Sequence, residues 1–343
     1  MRMQKQRAED NRIIPVCRAI KRLTVLFFLA GMAVLFSACE KETAVQEASG
    51  TGLYFDTVVD IRICDPKAEE LLQGCFDLCN KAELTLSAQN EESELYRLNH
   101  RDTDEGIEVS EELAACIARG LEFGRISDGK FDITILPLRE LWDFEAEDPK
   151  VPAQEEIEKA LARVDYRKVR VEGTTVYFDD PQTQLDLGGI AKGYISLQLK
   201  EWLAAQGCTS ALINLGGNVS VLGPRPDGKN WVVGIQEPFT DRGTVLETVE
   251  AADGCVISSG TYERYFEENG NLYHHILDPE TGWPVETALQ QVTVIGKDDI
   301  LCDAFSTISV LVGKEEAERL VRENGWDVRM LFVGEDHAGE WFP

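Results

Sequence analysis

The stretch Asp186-Leu187-Gly188-Gly189-Ile190-Ala191-Lys192-Gly193-Tyr194 places the tightest limit on what this chain can fold into. It follows two short β-patterned runs, residues 169–171 and 174–178. It leads into a helical pattern in which Ile190, Tyr194, Leu197, Trp202 and Leu203 fall near one face, with Gly207 as a stop signal. A glycine-rich turn feeding a helix presents backbone N–H groups and the positive end of the helix dipole, which suits an anion such as phosphate. Lys192 adds a positive charge one turn in. Asp186 repels a phosphate and suits a hydroxyl or a base edge instead. The order is neither that of a Walker P-loop nor G-x-G-x-x-G. The glycines would also serve plain close packing of helix on strand, and the stretch alone leaves both roles open. A second Leu-Gly-Gly turn follows a strand pattern at 211–215, 28 residues after the first with one helix between. Both turns can therefore open on the same side of one sheet.

The rest of the chain mixes the two periodicities. Residues 52–64 and 291–295 read as strands, and 231–236, 245–250 and 255–258 alternate like antiparallel ones. Residues 272–284 carry H-H-I-L-D-P, a strand running into a Pro/Gly turn. Amphipathic helices are expected at 68–86, 155–163, 301–312 and 315–324. A further one runs from Ser110 to about Ile126, its capping box imperfect because Leu113 stands where Glu or Gln is usual. Residues 144–152 are acidic and proline-bearing and read as an exposed loop. No repeat of solenoid period appears. The expectation is an α+β fold, a single large domain over 52–343 of mixed, mainly antiparallel sheets with packed helices.

The first 38 residues differ in kind. Seven Lys or Arg precede an uncharged apolar run from Leu23 to Phe36, and Phe36-Ser37-Ala38-Cys39 follows. A basic segment, a short apolar core and small residues at the cut describe a secretory signal, too short for a membrane span of about 20 residues. Small residues before a cysteine resemble a bacterial lipobox, with Phe36 where Leu is usual. The resemblance implies cleavage before Cys39, lipidation of its sulfur, and a tether over 39–51 at the extracytoplasmic face of the cell membrane. Without the signal, 27 basic and 59 acidic side chains remain, a net charge of −32. Such a surface repels nucleic acid and anionic lipid, so the lipid holds the protein at the membrane. An anionic ligand then needs local help from a dipole, Lys192 or a metal. Of nine cysteines, seven lie beyond Cys39, an odd set without zinc spacing and in apolar surroundings, which argues against a disulfide framework.

Asp303 and Thr307 are four apart on a helix pattern and share a face. A carboxylate and a hydroxyl, completed by a main-chain carbonyl and phosphate oxygens, suit Mg²⁺. Taken alone, the position of Asp303 favours a cap of its own helix over a metal ligand. In extended chain His274 and His275 face opposite ways, so at most one points into a given cleft, and a histidine beside Asp278 also fits a structural role.

Taken in order, D-G-K-F-D-I-T followed by P-L and L-W, then D-L-G-G-I-A-K-G-Y, N-L-G-G-N, H-I-L-D-P-E-T-G-W-P and D-A-F-S-T resemble the ApbE family. These are the bacterial FAD:protein FMN transferases once called thiamine-biosynthesis lipoproteins. The earlier S-E-L-Y-R-L-N resembles that family's N-terminal motif, and the likeness spans about 52–330. It implies an enzyme that binds FAD, uses Mg²⁺ and transfers FMN to a threonine hydroxyl of a target protein, releasing AMP. The targets implied are flavoprotein subunits of membrane redox complexes. By resemblance, Asp303, Thr307 and a carbonyl of the Gly-rich turn, Gly189 ahead of Ala191, match the metal ligands. Lys130, Phe131, Asp132, Asp186, Lys192 and Leu277 match FAD contacts, and His275 matches the family's histidine, with His275 or Asp303 as the base for the threonine hydroxyl. Two positions that contact FAD in relatives depart from the pattern: Phe55-Asp56-Thr57 replaces Met-Gly-Thr, and Gln89 replaces an aromatic residue. The alternatives are Mg-dependent hydrolysis of FAD to FMN and AMP, and a non-enzymatic FAD-binding lipoprotein.

Overall fold

The computed structural model describes residues 45–103 and 105–343, so the signal segment and Cys39 lie outside the described residues. Residues 46–343 form one compact unit. The chain opens with β1 (Gln46–Tyr54), β2 (Thr57–Asp65), α1 (Ala68–Leu86), α2 (Glu94–Asn99), β3 (Ile107–Glu108) and α3 (Glu111–Ile126). It continues through α4 (Leu136–Trp142), α5 (Gln154–Leu161), β4 (Val169–Glu172), β5 (Thr175–Phe178), α6 (Ala191–Ala205), β6 (Ala211–Leu215) and β7 (Asn218–Leu222). There follow β8 (Trp231–Gln236), β9 (Val245–Ala251), β10 (Gly254–Gly260), β11 (Tyr265–Glu268) and β12 (Asn271–His274). The last elements are β13 (Leu289–Gly296), α7 (Asp299–Val312), α8 (Lys314–Asn324), β14 (Arg329–Gly334) and β15 (Gly339–Phe342).

The frame is an eight-stranded sheet in the order β1-β2-β6-β7-β10-β13-β14-β15, antiparallel at every pairing. Alternate residues of its strands go to opposite layers, as the pleat dictates. Cys255 and Ile257 of β10, and Met330 and Phe332 of β14, join the main core with α1, α6 and α7. Val256, Leu331 and Val333 face the other way, onto Val233, Ile235 and Val249 of the β8–β9 hairpin. The sheet is thus covered on both faces where it carries the site. A three-stranded sheet, β3-β5-β4, lies beside α3. A smaller core gathers Leu138, Trp142, Ile157, Phe266 and Leu277, with the Trp142 indole N–H donating to the Gly282 carbonyl at 2.9 Å.

The α+β, mainly antiparallel expectation holds, with local corrections. Residues 46–51, expected in a tether, are strand β1, a polar edge strand whose sequence carries no apolar alternation. The expected strand over 52–64 is a hairpin: the chain reverses at Phe55 and Asp56, both at a φ of 55°, the conformation of a tight two-residue turn. Strands β3, β7, β11, β14 and β15 escaped the sequence reading; β14, covered on both faces, reads as a continuous apolar run. Helix α4 starts at Leu136-Pro137, proline being compatible with a first helical turn. The Ser110 cap forms despite Leu113, its Oγ accepting the Leu113 N–H at 3.2 Å. The seven described cysteines are all buried and unbridged.

Candidate active site

Asp303 is the meeting point. Helix α7 is capped by Asp298, whose Oδ1 accepts the Leu301 N–H at 3.0 Å, so Asp303 is not its own helix cap. One turn in, its buried carboxylate faces α6. Oδ2 accepts the Gly193 N–H and Oδ1 accepts from Asn218 Nδ2, both at 2.7 Å, and Lys192 Nζ lies 3.8 Å away. Gly193 heads the first glycine-rich turn's helix, and Asn218 closes the second turn. The two Leu-Gly-Gly turns therefore do converge, through one carboxylate.

The glycines serve packing and the site together. A Cβ on Gly193 would stand 2.4 Å from the Asp299 carbonyl oxygen and 2.6 Å from the Asp303 Cβ. A Cβ on Gly189 would stand 2.9 Å from the Phe131 ring, which also meets Phe123 edge-on. Close approach has a chemical consequence. Gly193 is the third residue of α6, where the N–H has no acceptor within the helix, and the close approach lets Asp303 take it. Asp303 and Thr307, one turn apart on α7, supply a carboxylate and a hydroxyl, and with a main-chain carbonyl such an all-oxygen set would suit a hard divalent cation completed by phosphate oxygens. Thr307 Oγ1 is held 3.0 Å from Ser259 Oγ, which also meets Ser306 Oγ at 2.7 Å. Below, Lys200 and Asp299 form a buried ion pair at 2.5 Å that ties α6 to α7.

The remaining residues singled out by sequence divide. Asp186 directs Oδ1 to the Gly188 N–H (2.7 Å) and Oδ2 to Arg139 Nη1 (3.1 Å), shaping the turn. Arg139 was not picked out by sequence; its neighbour Asp186 raises its pKa, outweighing burial. Lys130 pairs with Asp278 and Glu280, at 3.3 and 2.8 Å; burial would lower its pKa, but these partners raise it on balance. Two residues turn inward. The Asp132 carboxylate accepts from the Thr134 N–H, the Thr134 hydroxyl and the Tyr166 N–H, so it braces its own loop, with burial pushing its pKa up. The Leu277 side chain lies in the smaller core. Of the two departures from the family pattern, Gln89 lies between Asp56 and Arg139, and Phe55 packs against the main core.

The histidines behave as alternation requires. His274 is structural: its Nε2 donates to the Val285 carbonyl (3.2 Å) and its Nδ1 accepts the Ile276 N–H (3.3 Å). Burial lowers its pKa to about 4. His275 Nδ1 is buried with no hydrogen-bond partner. Burial first, then the charges of Arg264 and Lys192, lowers its pKa to about 3, so the imidazole is neutral at physiological pH. The ring is neutral and its Nδ1 unpartnered, so it takes a proton only where a nearby negative charge compensates its burial.

A twisted antiparallel sheet with an oxygen-donor carboxylate set against a glycine-rich helix start defines an α+β protein suited to a phosphate-bearing ligand. The family model described as the ApbE family matches residues 55–332, and the chain belongs to that family. It is 34% identical over 267 residues to an FAD:protein FMN transferase of Klebsiella pneumoniae, covering 77% of this chain and 82% of the relative. The fold is similar to that of the ApbE protein from Thermotoga maritima, with a TM-score of 0.78 and 30% identity over 86% of this chain and 96% of that one. It also resembles the flavin transferase ApbE from Vibrio cholerae, with a TM-score of 0.77 and 26% identity over 87% of this chain and 97% of the other.

Proposed function

We propose that this chain is an FAD:protein FMN transferase that moves the FMN half of FAD onto a threonine hydroxyl of a target protein, releasing AMP. The observation that carries the reading is Asp303, one buried carboxylate joining the Gly-rich helix start to β7 beside Lys192 and Thr307. The activity named for its relatives supports it. In the reaction the threonine oxygen bonds to the phosphorus of FMN while the bond from that phosphorus to the bridging oxygen breaks. AMP departs with the electron pair, and the hydroxyl proton passes to a base. Asp303, Thr307 and the Gly189 carbonyl would hold Mg²⁺, which when bound neutralises charge on the phosphoryl oxygens. Lys192 and the N-terminus of α6 orient the diphosphate. His275 takes the hydroxyl proton; burial is the main cause of its lowered pKa, and a bound diphosphate would raise it by offsetting the nearby charges of Arg264 and Lys192. Asp303, already accepting two hydrogen bonds, positions rather than deprotonates.

On the lipobox resemblance the enzyme would be anchored through Cys39 at the extracytoplasmic face of the membrane, with flavoprotein subunits of membrane redox complexes as its targets. Six residues separate Cys39 from β1, about 20 Å at full extension, so acceptors are reached close to the bilayer. The deciding experiment is mass spectrometry of a threonine-bearing acceptor domain after incubation with FAD, Mg²⁺ and the detergent-solubilised full chain. The acceptor should gain one FMN, and the gain should vanish with Asp303→Ala or with EDTA. Free FMN and AMP beside an unmodified acceptor would mean a hydrolase, and FAD recovered intact would leave a binding protein.

A further inference from the structure

Gln89 is bonded to Asp56, the neighbour of Phe55 in the other segment that departs from the family pattern. With the Gln89 amide oriented to satisfy both its ends, its NH₂ donates to Asp56 Oδ2 at 2.6 Å and its oxygen accepts from Arg139 Nη2 at 3.0 Å. Arg139 in turn holds Asp186, and Asp186 holds the Gly188 N–H of the glycine-rich turn. Four segments distant in sequence thus form one hydrogen-bonded chain, from the tip of the β1–β2 hairpin to the start of α6. The hairpin tip is itself under constraint. Phe55 and Asp56 both adopt left-handed backbone, which is unfavourable for residues other than glycine and persists where neighbours enforce it. Gln89 holds Asp56 at this turn.

We propose that Asp56, Gln89 and Arg139 act as one positioning unit, which locks the hairpin tip to the glycine-rich turn and so sets the affinity for the flavin dinucleotide. The proposal rests on the transferase reading above. Arg139 is suited to the central role because a planar guanidinium can serve two acceptors on different elements at once. Gln89 is suited to the junction because an amide presents a donor to one carboxylate and an acceptor to the guanidinium.

The chemistry offers a charge test. Gln89→Glu keeps the acceptor for Arg139 but sets a carboxylate against Asp56. Adding Asp56→Asn restores a donor at that contact. In the full chain, Gln89→Glu should weaken FAD binding and raise the KM for FAD about tenfold, with kcat changing far less. The Asp56→Asn/Gln89→Glu pair should recover to within about threefold of wild type, which a purely structural role for Gln89 does not demand. FAD affinity indifferent to Gln89→Glu, or a double variant no better than the single, would overturn the proposal. A wild-type chain that fails to bind FAD at all would overturn the transferase reading and this proposal with it.

Discussion

Asp303 and Asp298 show what separates a functional carboxylate from a capping one. Both lie near the start of α7, but only Asp298 sits at the boundary, where its oxygen meets a backbone N–H left over from the first turn. Asp303 is one turn further in, so its oxygens are aimed at α6 and β7 instead. The i, i+4 spacing to Thr307 was legible in sequence; the helix boundary that decides the role was not. Asn218 stood within the quoted N-L-G-G-N motif without an assigned task, and Arg139 carried no local signal because its partners Gln89 and Asp186 lie far from it in sequence. His275 yields the sharpest prediction at this scale. Its Nδ1 has no protein partner and its ring is neutral, so His275→Ala should lower single-turnover FMN transfer by about 100-fold while FAD affinity moves only a few-fold. Transfer at the wild-type rate would remove it from the mechanism.

Elements were easier to read than their junctions. Helices with an apolar face and strands with one covered face stand out by periodicity, as α1, α6 and β8 do, whereas β1, polar at the edge, and β14, apolar on both faces, carry no period-two signal. The junction of α6 with α7 was readable only as glycines. Its cause is steric: Gly193 lets the α6 backbone approach the Asp299 carbonyl and the Asp303 side chain. Gly193→Ala should therefore push the helices apart at a cost of about 1–3 kcal/mol. The melting temperature should fall by several degrees. The same displacement lengthens the Gly193–Asp303 hydrogen bond, so Mg²⁺ dependence should shift to higher concentration, read by titrating transfer activity against the metal. A variant that melts as wild type and keeps the same Mg²⁺ requirement would show that the close approach is dispensable.

At the scale of the whole molecule, acidic groups and buried histidines push the pH response in opposite directions. With an excess of 27 negative charges over the full chain, mild acid relieves self-repulsion. The buried carboxylates Asp132 and Asp299, whose pKa values burial raises, are likewise favoured in the fold as pH falls. Buried histidines act the other way. His274 is held neutral in the fold with a pKa of about 4, against about 6.5 when unfolded. Its contribution is fully present above pH 6.5 and is lost as pH falls toward 4, because only the unfolded chain takes up the proton. At pH 5 the loss is about 2 kcal/mol. The melting curve of wild type alone mixes these effects, but the difference between wild type and His274→Gln isolates one. The variant should be less stable at pH 7.5, where the hydrogen bonds to Val285 and Ile276 are weakened. Its deficit should shrink by about 2 kcal/mol at pH 5, which is about 4 °C in melting temperature for a chain of this size. A deficit independent of pH would mean that His274 titrates normally in the fold and that its burial does not hold it neutral.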